Sequence, residues 1–206
     1  MRFSGSAARS ANAIPPTVLG PLEEWETLWA PYDEATYAAV LAAIEPSDVV
    51  LDIGAGDLRL ARRIAERARL VVAWEIQPAL VNAAVRPLPP NLVAIVADAR
   101  AEPIPAGVTV AVLLMRHCTH YALYVDKLRT AGCQRLITNA RWGIGVEVVN
   151  LGPGVPFDSV GIGWYACRRC GATGFAGDDA RQVVAATFEH VNDVEGCPLC
   201  WWQPLA

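Results

Sequence analysis

The sequence predicts an α/β protein: a doubly wound, mostly parallel sheet followed by a small four-cysteine module. Three observations carry this prediction. Short Val/Ile/Leu runs at 48–53, 70–74, 92–96, 108–114 and 135–138 alternate with segments of helical spacing, the pattern of strands covered on both faces. Turn residues then gather at 152–156, where the strand–helix alternation stops. Beyond them lie two C-x-x-C pairs, Cys167/Cys170 and Cys197/Cys200.

The chain has 206 residues, 53% hydrophobic and 18% charged, enough for one α/β domain with a core plus a small appendage. Residues 1–20 are rich in Ser, Ala and Pro and read as a loose lead-in without a secretory h-region. Residues 21–45 have helical spacing broken at Pro31, giving two helices, and Tyr37, Val40, Leu41 and Ile44 share one face of the second. The first strand spans 48–53, Gly54 to Gly56 form a turn, and 57–69 is a helix with Leu60 and Ile64 inward. A strand at 70–74, a helix from 78 to about 85, strands at 92–96 and 108–114 and a helix over 120–130 follow. A fifth strand begins at 135–138 and a sixth lies at 146–151. The domain limits are thus 21–155 for the sheet with its helical cover and 156–206 for the cysteine module.

Charge excludes little. The formal net charge of -4 gives no global pull toward nucleic acid, and Lys127 is the only lysine. The arginines at 59, 62, 63, 67 and 69 fall on the outer face of a helix and read as a solvated surface. No apolar stretch is long enough to span a membrane, so the expectation is a cytoplasmic protein with no membrane partner.

The segment 49–58 carries the chemistry. A strand, a glycine turn at Gly54 and Gly56 and a helix bring backbone close to a ligand, because glycine removes the Cβ that would block approach. The second strand ends at Glu75, 19 residues past Gly56, where a carboxylate can accept both hydroxyls of a ribose. The third strand is followed by Asp98, beside Glu75 in such a sheet.

Asp52, Gly54 and Gly56, with Glu75 and Asp98 closing the next two strands, resemble the class I S-adenosylmethionine methyltransferases over roughly residues 30 to 140. The resemblance implies that Gly54 and Gly56 lie under the methionine part of S-adenosylmethionine and that Asp52 helps hold it. It also implies that Glu75 takes the ribose hydroxyls and Asp98 the adenine amino group. Residues 29–33, from Trp29 to Asp33, resemble the N-terminal cover segment of such enzymes. Asp57 and Leu58 stand where many members have a third glycine. A nicotinamide fingerprint would place Arg59 at its third glycine, where a side chain crowds the helix–sheet contact.

Ligands of open α/β sheets bind outside the C-terminal ends of the strands. The segments after strands four and five, 115–121 and 139–142, are dense in polar and reactive residues and are the predicted acceptor site. Methyl transfer needs an oriented nucleophile and, for many acceptors, a base. His117 or His120 fits the base; Tyr121 or Asn139 fits an orienting group; Arg141 fits an anionic substrate group and Trp142 a flat one. Cys118 is a nucleophile or a structural thiol; the proline that neighbours the nucleophile of cytosine-C5 methyltransferases is absent beside it. The Asn/Asp-Pro-Pro-aromatic sequence of adenine amino methyltransferases is absent too.

The four cysteines at 167, 170, 197 and 200 fit a tetrahedral zinc site resembling a zinc ribbon, closed and therefore structural. Trp164, Tyr165, Trp201 and Trp202 flank them and pack onto the sheet or stack on bases. Three functions remain open: an RNA methyltransferase, a methyltransferase of a protein or small molecule, and a non-catalytic binding module that keeps the cofactor fold. The oligomeric state is not legible.

Overall fold

The computed structural model describes residues 31–201 apart from Val85, His117, Ile144, Asp178 and Asp179. The first predicted helix, Trp29 and Trp202 therefore lie outside the described residues. Helix α1 (Glu34–Ala42) starts where Asp33 caps it, its carboxylate accepting from the Thr36 N–H at 2.8 Å. Strands β1 (Val49–Ile53), β2 (Leu70–Glu75), β3 (Leu92–Val96), β4 (Val110–Leu113), β5 (Arg135–Thr138) and β6 (Glu147–Asn150) form one sheet in the order β3-β2-β1-β4-β5-β6. The first five are parallel and β6 runs antiparallel to β5.

Alternation along the strands builds two cores, one on each face. Val50, Val71, Val110, Val112 and Ile137 pack with α1 and with Leu60, Ala61 and Ile64 of α2 (Arg59–Ala65). Leu51, Ile53, Val72, Leu113 and Leu136 pack on the other face with Tyr121, Val125 and Leu128 of α4 (Tyr121–Thr130). Helix α3 (Pro78–Ala83) follows β2, with Pro78 in its first turn. The sheet is thus doubly wound as the sequence predicts.

Two elements differ from expectation. Strand β3 was expected to be covered on both faces, yet Val93, Ile95 and Val96 are all more than two-fifths exposed. It is the edge strand, and the connection 97–109 contributes no helix to cover it. The helix expected over 57–69 begins only at Arg59, because Leu58 adopts a left-handed backbone (φ 66°) that ordinary side chains avoid. That conformation is what the third glycine of the resembled motif would supply at no cost. Leu58 is fully buried, so packing offsets the strain.

The N-terminal ends of the strands are tied shut. Asp48 is 4% exposed and accepts from Arg135 Nη2 at 2.8 Å, the Thr109 hydroxyl at 2.9 Å and the Glu45 N–H at 2.8 Å. The switch point, with β1 between β2 and β4, therefore leaves its crevice at the opposite, C-terminal edge.

The predicted boundary at 152–156 leads into a second sheet, β7 (Val155–Pro156), β8 (Gly163–Cys167), β9 (Thr173–Ala176) and β10 (Val191–Glu195), in the order β7-β10-β8-β9. β8 and β9 form an antiparallel hairpin, whereas β10 is parallel to β8. Both C-x-x-C pairs therefore start at neighbouring strand ends. Sheet and module belong to one compact unit, Pro31–Ala206.

Candidate functional site

At the C-terminal edge of β1 and β2 the glycine turn is built by backbone hydrogen bonds. The N–H groups of Gly54 and Ala55 both donate to the Trp74 carbonyl, at 2.8 and 2.9 Å. Gly54 (φ 73°) has a left-handed backbone that a side chain would strain, and a Cβ there would also displace the end of the Met115 side chain. Glu75, 5% exposed, fastens the turn from the next strand. Its Oε2 accepts the Gly56 N–H at 2.8 Å and its Oε1 the Gln77 N–H at 2.9 Å. Each oxygen uses one lone pair this way and keeps one for a further donor.

Asp52 sits beside it under different conditions. It is 4% exposed, like Asp48, but its Oδ2 has no hydrogen-bond partner. Burial, and then the charge of Glu75, push its carboxyl up to about 7. A buried unpartnered carboxylate oxygen is costly in a folded chain, and it is a place where a ligand donor is missing. Asp98 lies just past β3, as predicted, but is held by a near neighbour: Arg100 pairs with it at 2.7 Å and lowers its carboxyl to about 2. Ile76 escaped the sequence reading. It follows Glu75 directly and is 52% exposed, an apolar surface next to the acids. An aliphatic residue immediately after a strand-terminal acid was the available signal.

The acceptor candidates have other surroundings. His117 lies outside the described residues. His120 is exposed at the N-cap of α4, with its Nδ1 3.2 Å from the Thr119 hydroxyl. Cys118 is half-buried against the α4-side core, and burial pushes its thiol up. Tyr121 is 4% exposed, with an unpartnered hydroxyl pushed well above the ordinary phenol range by burial. Its ring fills the space over Gly171, where a Cβ would come within 2.8 Å of it. Asn139 is 2% exposed with an unpartnered Oδ1, and its carbonyl accepts the Gly143 N–H at 3.1 Å.

Arg141, expected to hold an anionic substrate group, is paired within the protein. Its side chain is 3% exposed and clamped: Nε and Nη2 donate to Glu147 at 2.9 and 2.6 Å, and Nη1 to Asp193 of β10 at 2.7 Å. Desolvation is outweighed by these carboxylates, which hold the guanidinium charged. Arg129 of α4 makes a second bidentate bridge, to Glu195 at 2.7 Å for each bond. Arg168 donates to the Pro153 carbonyl at 3.1 Å and faces Asp193 at 3.6 Å. Trp142 meets Trp164 of β8 edge-on, with centroids 6.2 Å apart. The polar density after β4 and β5 is thus in large part the seam on which the cysteine module docks.

In the module the four Sγ atoms lie within 4.8 Å of one another. The Cys167–Cys200, Cys170–Cys197 and Cys197–Cys200 separations are 3.5, 3.6 and 3.9 Å. A zinc ion bonded at about 2.3 Å to each of four tetrahedral sulfurs spaces them by about 3.8 Å. None of the described cysteines is in a disulfide. The Cys170 N–H points to Cys167 Sγ at 3.5 Å, and the Cys170 thiol is the main influence drawing Cys167 down to about 5. Four thiols gathered at this spacing could hold a metal ion.

No protein-family model matches the chain. A segment of 43 residues is 49% identical to a probable ribosomal RNA small subunit methyltransferase A of Methanosarcina acetivorans, covering 21% of this chain and 16% of that protein. A 41-residue segment is 51% identical to the corresponding Methanosarcina mazei protein, covering 20% and 15%. The chain therefore matches about a sixth of the length of these relatives. Among solved structures, the 23S rRNA methyltransferase ErmE aligns at TM-score 0.43 and 26% identity over 52% of this chain and 46% of its own. Among the described residues no helix is long and apolar enough to cross a membrane.

Proposed function

We propose that this chain is a cytoplasmic S-adenosylmethionine-dependent methyltransferase acting on RNA, with zinc held by Cys167, Cys170, Cys197 and Cys200. The observation that carries the cofactor assignment is the pair of buried acids at the switch point. Glu75 grips the glycine turn and keeps acceptor capacity, while Asp52 keeps a buried oxygen without a donor. When bound, the cofactor supplies an electrophilic methyl group on a sulfonium. The chain's own part is to receive the rest of that molecule. Glu75 takes the ribose hydroxyls, Gly54 and Gly56 give the backbone clearance, and Ile76 lies against the flat base. Asp52 takes the ammonium end, which favours its ionised form.

His120 is the described residue best suited to receive a proton, because it is an exposed imidazole at the N-cap of α4, beside the predicted acceptor segment. Asn139 offers an unused acceptor to a donor on the substrate. RNA as the acceptor is supported by the names of the matched relatives. A second reading, a protein or small-molecule acceptor, is favoured by one observation: Arg129, Arg141 and Arg168 are already committed to carboxylates or carbonyls and do not meet phosphates. Transfer of labelled methyl from S-adenosylmethionine to protein-free ribosomal RNA, with and without 0.3 M (roughly) added salt, separates the two. Salt-sensitive labelling supports RNA; labelling only of a cell's protein or small-molecule fraction overturns it.

A further inference from the structure

Besides the Trp142–Trp164 ring contact, three cross-ties join the module to the elements that frame the acceptor half of the crevice. Tyr121, the first residue of α4, lies over Gly171, directly after Cys170. Arg141, two residues past Asn139, reaches Asp193 of β10, four residues before Cys197. Arg129, at the far end of α4, reaches Glu195. The glycine turn, Asp52 and Glu75 have no hydrogen bond or ion pair to the module among the bonds above.

We propose that the metal-loaded module is the acceptor-side wall of the crevice, and that Arg141 is the positioning residue through which metal occupancy sets the segment 139–143. This rests on the zinc reading above and adds to it a coupling between the metal and one half of the crevice only. The physical argument is the geometry of the clamp. With four thiolates closed on a metal, the ends of β8 and β10 are fixed together and Asp193 is fixed with them. Asp193 then completes the carboxylate cage of Arg141, whose backbone follows Asn139 and Ala140. Without the metal the knuckles part, Asp193 loses its place, and Arg141 keeps only Glu147. The amides that report this are those of Ala140, bonded to the Thr138 hydroxyl at 3.0 Å, and Gly143, bonded to the Asn139 carbonyl.

The test is hydrogen exchange on the full zinc-loaded chain before and after chelation, with zinc per chain counted and S-adenosylhomocysteine affinity measured in both states. Chelation is expected to speed exchange at 139–143 and 121–124 by about tenfold or more. Exchange at 52–58 and the S-adenosylhomocysteine affinity are expected to stay within about twofold. Asp193→Asn, which leaves all four thiols, should retain zinc yet show the faster exchange at 139–143 without chelator. Glu195→Gln, which cuts only the Arg129 bridge, should leave 139–143 unchanged. Unchanged exchange at 139–143 on chelation, or Asp193→Asn indistinguishable from the parent chain, overturns the proposal. A chain that takes up no zinc overturns the metal reading and this inference with it. Absence of S-adenosylhomocysteine binding alongside an intact exchange response overturns the methyltransferase reading and leaves the coupling standing.

Discussion

The two halves of the sheet's C-terminal edge look alike in sequence and differ in what their polar groups do. After β1 and β2, Asp52 and Glu75 are buried with hydrogen-bonding capacity to spare. After β5, Arg141 is buried with its capacity filled by Glu147 and Asp193. The first pattern is that of a ligand site and the second that of a docking seam. Asp48 and Asp52, equally buried and four residues apart, make the same contrast within one strand region: Asp48 is saturated by Arg135, Thr109 and Glu45, and Asp52 is not. Burial of a charge therefore does not mark function; unfilled bonding capacity does.

The comparison breaks most severely at the metal. Four-thiolate zinc sites bind with about 10–16 kcal/mol, so Cys167→Ser or chelation should unfold the module while the glycine half survives. Zinc loss with a reduced near-ultraviolet Trp signal, the part from Trp164 and Trp142 lost and that of buried Trp74 kept, and retained S-adenosylhomocysteine binding are the expected readouts. Next is Arg141→Ala, which strands two carboxylates in a seam and should cost about 3–5 kcal/mol by urea denaturation. Leu58→Gly relieves a left-handed backbone but empties a fully buried site, for a net loss of roughly 1–4 kcal/mol in the same assay.

The dependence of stability on pH is the most diagnostic of the cofactor half. Because the Asp52 carboxyl is raised from 3.8 to about 7, the folded chain keeps a proton that the unfolded chain releases near pH 4. Its stabilising contribution is therefore complete below about pH 4 and is lost as pH rises toward about pH 7. Asp52→Asn should remove that downward slope from the stability profile, and a mutant whose profile still overlays the parent's contradicts the assignment.

Much of the fold was legible because alternating apolar strands and helical spacing are local signals, and the five parallel strands fall where the runs placed them. The exposure of β3 was not legible, since edge position is a property of sheet order and not of the strand. The placement of Asp52, Gly54, Gly56 and Glu75 at the C-terminal ends of β1 and β2 was legible from spacing. The contacts of Arg141 and Tyr121 with the module were not legible, because their partners, Asp193 and Gly171, lie 52 and 50 residues further along and nothing local announces them. The helix start at Arg59 was missed because a leucine took a backbone that the sequence reserves for glycine.

The most direct measurement is a calorimetric titration of the zinc-loaded chain with S-adenosylhomocysteine, run beside NAD and repeated on Glu75→Ala. The account predicts binding of the first ligand alone, weakened about tenfold or more in the variant, which leaves the Gly56 and Gln77 N–H groups without their acceptor. Binding of neither ligand, or binding that ignores Glu75, would contradict it.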